Sequence, residues 1–199
     1  MGLLRAADFR RDAERYLPAP TRNLYIDLVP GKAWFSNLRS ELKEHEWDAV
    51  RKKVYRAAGY HCRVCGEQGP DHPVEAHERW HFDEATRVQT LVCVTALCPG
   101  CHQATHYGLA NVRGLAAQAD ERLMRINGWS KAQLQEHIRE AMTIGRRQAD
   151  MDWRLDARWL IGFVDLTEET RHKILAHAAG ILPRQVTDWR AIEEARILG

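Results

Sequence analysis

No run of apolar residues in this chain approaches the length that crosses a membrane, so a transmembrane role is not expected. A secretory leader is not expected either. Met1-Gly2-Leu3-Leu4-Arg5-Ala6-Ala7-Asp8 becomes charged too early for an apolar signal core, and the cytoplasm is the expected address. Nor is there an excess of one charge sign: 29 Lys and Arg stand against 27 Asp and Glu, and a net charge of +2 points neither towards nucleic acid nor away from it. Outside residues 60–108 there is no cysteine. Five cysteines confined there, four of them in Cys-x-x-Cys pairs and without an export signal, favour metal thiolates over disulfides.

A chain of 199 residues has room for one core and a small appendage, and 45% hydrophobic with 28% charged residues are the proportions of an ordinary globular protein. The charges are unevenly placed. Lys and Arg against Asp and Glu run 12 to 8 over residues 1–60, 3 to 6 over 61–110, 7 to 5 over 111–150 and 7 to 8 over 151–199. An acidic middle beside a basic flank suits a metal centre whose phosphate-tracking residues lie outside it; the same flank also reads as solvated helix faces.

Residues 60–108 hold all five cysteines and six of the ten histidines. Cys62-Arg63-Val64-Cys65 and Cys98-Pro99-Gly100-Cys101 have the spacing of two tight knuckles, and four thiolates so paired suit one tetrahedral Zn²⁺. His77-Glu78 lies between the knuckles, and Cys101-His102-x-x-x-His106 closes the second. Histidines four apart project from one face of a helix and can grip a second metal or a phosphate. The local pattern around them is strand, loop, strand, helix: Pro73–Trp80 alternates, 81–87 is polar, Val88–Leu97 is rich in β-formers, and Pro99 stands where a helix can begin.

These pieces, Cys62-x-x-Cys65-Gly66, Val74-Glu75-Ala76-His77-Glu78 and Ala96-Leu97-Cys98-Pro99-Gly100-Cys101-His102 with His106, resemble the HNH or ββα-metal endonucleases, in the branch clamped by a four-cysteine zinc site. The resemblance implies an α+β fold with a small zinc-bound ββα core. It also implies hydrolysis of DNA to 5′-phosphate and 3′-hydroxyl ends, in phage defence or in phage or mobile-element biology. The sequence leaves the choice between DNA and RNA open. The catalytic residues it implies are His77, Glu78, His102 and His106, with His77, His102 and His106 around a catalytic Mg²⁺, Mn²⁺ or Ni²⁺. Placing Val74 and Ala76 on the apolar face makes His77 a metal ligand and Glu78 the general base; the other register makes His77 the base, with Glu75 or Glu78 on the metal. Glu78 departs from the family's usual His, and the place of the middle asparagine falls at Cys93 or a neighbour, which equally reads as a buried strand residue.

The rest of the chain divides around this stretch. Residues 1–59 form a helical, basic flank: a helix over 3–17 stopped by Pro18 and Pro20, an extended segment Thr21–Lys32, adjacent aromatics Trp34 and Phe35, and a helix over 46–58 ended by Gly59. Arg51, Lys52, Lys53 and Arg56 on that helix, with Arg79, are the expected phosphate contacts. Residues 109–152 form a helical extension, with helices over 110–127 and from a Ser130 cap to about 149. Residues 153–199 form a small tail with a helix over 167–179 and another after Thr187 or Asp188, a weak helix-turn-helix pattern. Cutting both strands with one such site calls for a homodimer or two nicks, and the helical half offers a surface for a regulatory partner. The rival from another class is a non-catalytic zinc module that binds nucleic acid or protein.

Overall fold

The computed structural model describes residues 24–33 and 38–180. The helices read over 3–17 and after Thr187, and the aromatic pair Trp34 and Phe35, lie outside them. The architecture is α+β, a three-stranded sheet with eight helices among the described residues.

Helix α1 (Leu38–Glu41) leads into α2 (Glu44–Ala57), which presents Val50 and Val54 at helical spacing to the core. Glu46 sits in the first turn of α2 and accepts the Lys43 backbone N–H at 2.9 Å, satisfying a donor the helix leaves open. The helix stops where Gly59 takes φ 59°, a left-handed conformation that glycine adopts without strain.

Strand β1 (Glu75–Asp83) pairs antiparallel with β2 (Val88–Leu97) from Glu75↔Leu97 to Asp83↔Val88. The second strand falls where the sequence places it, but the first runs three residues beyond Trp80. Phe82 packs edge-to-face on Trp153 at 5.0 Å, and Asp83 Oδ1 accepts the N–H groups of Ala85 (2.9 Å) and Thr86 (3.3 Å), which tightens the connection to a short hairpin turn. The register slips between Arg79 and Trp80, leaving Val92 as the extra residue of a bulge beside the histidine-bearing part of β1.

Helix α3 (Pro99–Thr105) begins with Pro99 in its first turn and is followed by α4 (Tyr107–Val112) and α5 (Ala116–Asn127). The single helix expected over 110–127 is broken because Gly114 takes φ 72° between α4 and α5. Ser130 Oγ accepts the Gln133 N–H at 3.3 Å and starts α6 (Lys131–Gln148) as expected.

Residues 154–178 belong to the core. Strand β3 (Arg154–Asp156) adds to β2 in parallel, and α7 (Trp159–Phe163) and α8 (Glu168–Ala178) cover one face of the sheet. On that face Leu38, Val50, Val54, Val74, Val94, Leu160 and Ile174 form one apolar cluster. A second cluster joins Leu24, Ile26, Leu97, the four knuckle cysteines Cys62, Cys65, Cys98 and Cys101, Ala104, Leu123 and Leu134 on the side of the cysteine knuckles. The β1–β2 hairpin therefore has a core against each face, and alternate residues of β1 address different cores.

Candidate metal centre

Cys62 and Cys65 lie on a turn closed by Gly66 N–H to Cys62 O (2.9 Å) and by Cys62 N–H to Glu67 O (2.9 Å). Cys98 immediately precedes α3 and Cys101 lies in its first turn. A side chain on Gly69 would run into the His72 carbonyl and the Pro99 ring, so glycine lets the segment after the first knuckle cross directly over the second. The four Sγ atoms lie within 4.8 Å of one another, with Cys65 and Cys98 at 3.6 Å. Tetrahedral zinc with Zn–S bonds of about 2.3 Å separates its sulfurs by roughly 3.8 Å, so this donor set fits a structural zinc. Without a cation, hydrogen bonds from Cys101 and Cys98 pull the Cys62 thiol far down, while burial and neighbouring thiolates push Cys65 up to about 12. Four negative sulfurs need a positive ion among them.

Residues 75, 77 and 79 of β1 alternate onto the zinc-side face. There His77, 3% exposed, meets His102 and His106 from α3 and its end. His77 Nδ1 lies 3.2 Å from His106 Nε2, which lies 3.1 Å from His102 Nε2. The three rings pack edge to face with centroids 4.6 to 5.3 Å apart. Bonds of about 2.0–2.1 Å from one ion place neighbouring nitrogens roughly 3.0–3.4 Å apart, so three imidazoles fit an ion such as zinc, nickel or manganese. Burial lowers the His77 pKa to about 4 and that of His106 to about 3, and lowers His102 as well. All three rings are neutral at physiological pH, the form that binds metal.

The far nitrogens of two of these rings face carboxylates. His102 Nδ1 is paired with Glu75 from β1, and His77 Nε2 lies 3.4 Å from Asp27 Oδ2. Asp27 also accepts Arg79 Nη1 at 3.1 Å, while the Arg79 guanidinium stacks 4.2 Å over the Tyr25 ring. Burial by itself raises the Asp27 pKa, but hydrogen bonds and charges from His77 and Arg79 outweigh it and hold the group below the usual carboxylate range. Asp27 reaches the site because its segment is strapped to the helices. Asn127 pairs with both backbone groups of Leu24 (2.9 and 2.7 Å), Ile26 N–H donates to His137 Nε2 (3.0 Å), and Asp27 N–H donates to Thr105 O (2.9 Å).

Sequence reasoning missed Asp27, fifty residues from His77. The one signal it offered was the alternation of Leu24, Ile26 and Leu28, which turns Asp27 towards the opposite side of the segment. Glu78, one residue from His77 on a strand, is turned towards the other core. There the Leu38 backbone N–H bonds its carboxylate, Arg39 lies near, and burial raises its pKa. It is not among the atoms that converge with His77, His102 and His106.

The expected phosphate contacts are variously engaged. Arg51 and Lys52 pair with Asp48 on their own helix at 2.6 and 3.0 Å. Lys53 Nζ donates to Phe163 O at 2.7 Å and sits 4.7 Å over that ring, while Arg56 is exposed. Arg79 is buried against Asp27 rather than open to solvent. Cys93 is a buried strand residue opposite Arg79, its thiol pushed up to about 11 by burial. No helix among the described residues is long and apolar enough to cross a membrane.

No protein-family model, curated protein or solved structure matches this chain.

Proposed function

We propose that the chain is a metal-dependent endonuclease of the HNH type that hydrolyses DNA phosphodiesters to 5′-phosphate and 3′-hydroxyl ends. The observation that carries this reading is the convergence of three neutral histidines beside a four-thiolate site on a strand, strand, helix frame. A zinc ribbon needs the thiolates alone; a second nitrogen-lined site beside them is the equipment of chemistry.

A divalent ion held by His77, His102 and His106, whether Mg²⁺, Mn²⁺ or Ni²⁺, would polarise a phosphate oxygen and stabilise the leaving 3′ oxygen. The chain's own residues prepare the site. Asp27 accepts the Nε2 proton of His77 and so fixes the tautomer that leaves Nδ1 free, and Glu75 does the same for Nδ1 of His102. Arg79 neutralises Asp27 and locks it in place. Of the two roles read for His77, the orientation of Nδ1 towards His106 favours the metal ligand. Glu78 faces the other core, where burial raises its pKa, and Glu78→Gln tests whether it serves as the general base from that side of the strand.

The test is nicking of supercoiled plasmid and cutting of a folded RNA by metal-stripped protein resupplied with Mg²⁺, Mn²⁺ or Ni²⁺. Ion-dependent nicking of the plasmid supports the reading. A folded, zinc-loaded protein that cuts neither substrate with any of the three ions refutes it in favour of a binding module.

A further inference from the structure

Helix α5 carries an arginine that the nuclease reading does not use. Arg122 Nη2 lies 3.1 Å from Cys65 Sγ and 3.0 Å from Cys98 Sγ, and its Nε lies 3.4 Å from Cys101 Sγ. One guanidinium thus meets three of the four sulfurs, one from the first knuckle and two from the second. The same Nη2 reaches Glu67 Oε2 at 2.9 Å, and Arg125, one turn along, holds Glu67 Oε1 at 3.1 Å. The Arg122 side chain is 16% exposed, so these contacts are drawn largely out of water.

All four sulfurs are shielded, those of Cys62, Cys98 and Cys101 by burial and those of Cys65, Cys98 and Cys101 by the guanidinium. Cys62, the one without a guanidinium contact, is buried to 2% exposure. Cys65, the one sulfur residue of the four that is only partly buried, receives both Arg122 and the Glu67 backbone N–H, at 3.4 Å. Four thiolates around a divalent ion leave two negative charges on the cluster, and a buried uncompensated charge is costly. An arginine fork is shaped to meet several acceptors at once, which a lysine ammonium is not.

We infer that Arg122 is a working member of the zinc site, offsetting the charge of the thiolates and tying both knuckles to α5, so that metal retention depends on it. This inference rests on the four-cysteine site and is independent of the nuclease reading. Glu67 is the buttress, held between Arg122 and Arg125, and it keeps the guanidinium turned towards the sulfurs.

The experiment is zinc competition on the full chain with the chromogenic chelator 4-(2-pyridylazo)resorcinol, comparing wild type with Arg122→Gln, Arg122→Lys and Arg125→Gln. Partners of metal ligands are worth about 10–100-fold in affinity, so Arg122→Gln weakens zinc retention by that factor and Arg122→Lys by less. Arg125→Gln, which loses a Glu67 contact but touches no sulfur, stays within about twofold. Far-UV circular dichroism in excess zinc establishes that each variant is folded. If Arg122→Gln does not fold in excess zinc, the graded Arg122→Lys variant decides: weaker zinc retention than wild type supports the inference, wild-type retention overturns it. Arg122→Gln and Arg125→Gln giving the same zinc affinity also overturns it.

Discussion

Asp27→Asn is the substitution that most sharply separates a metal centre from three histidines packed by accident. Asparagine keeps the volume and one acceptor oxygen, so the strap over residues 24–30 has no steric reason to move. What it removes is the charge. Arg79, its side chain 10% exposed, then lacks the carboxylate it faces at 3.1 Å, and Asp27 itself is only 13% exposed, so solvent screens the pair weakly. A hydrogen bond to a charged partner contributes about 1.5–3 kcal/mol, and stacking on Tyr25 remains, so the expected loss is about 2 kcal/mol. For a chain of this size that lowers the melting temperature by about 4–8 °C. The second effect is on His77. Without a carboxylate at Nε2, the tautomer that frees Nδ1 is no longer enforced, and affinity for Mn²⁺ or Ni²⁺ falls by about 10–100-fold. Isothermal titration calorimetry on zinc-loaded protein measures the affinity, and thermal melting the stability. Glu75→Gln, acting on His102 from a side chain 34% exposed, gives the smaller stability loss. If Asp27→Asn binds Mn²⁺ and Ni²⁺ as wild type does, the positioning argument is refuted.

Three further outcomes follow from the same geometry. Glu46 is fully buried and accepts the N–H groups of Lys43 (2.9 Å) and Thr167 (2.7 Å) and the Thr170 hydroxyl (2.8 Å), so one carboxylate caps α2 and α8 together. Desolvation raises its pKa, but these donors outweigh it and hold it below 4.5, so its contribution is present above that value and lost as pH falls through the lower folded one. Glu46→Ala costs about 3 kcal/mol in urea unfolding at pH 7, and the gap to wild type narrows in acid. For His77 and His106, with folded values near 4 and 3, the unfolded chain takes up protons from about pH 6.5 downward while the folded chain does not, so stability falls as pH falls across that window. Urea midpoints at pH 7 and pH 5 read this, and His106→Asn shows the smaller drop. Lys53→Ala removes a bond to Phe163 O and a cation over its ring; it lowers the melting temperature, whereas Lys52→Ala, whose cation is 56% exposed, does not.

What was legible in the sequence was local. Spacing within four residues marked both knuckles and put His102 and His106 on one helical turn, the run of β-formers found β2 to the residue, and Ser130 and Gly59 announced a cap and a stop. What was not legible depends on residues far apart in the chain. Asp27 approaches His77 because Asn127 and His137 hold its segment, and nothing within the segment encodes those partners. Arg122 reads as an ordinary charged position of an amphipathic helix until α5 is packed on α3. Strand β3 is three residues long, too short for alternation to mark, and it exists because β2 offers an edge to pair with. Glu78 shows the limit of adjacency: a motif places two residues side by side, and the strand turns them to opposite faces.

The central claim is that His77, His102 and His106 hold an ion that cuts DNA. His77→Ala, in zinc-loaded and folded protein, is its most direct test, with plasmid nicking and DNA binding measured side by side in Mn²⁺. The account predicts that nicking by wild type disappears in the variant while DNA binding remains. Nicking at the wild-type rate by His77→Ala contradicts it.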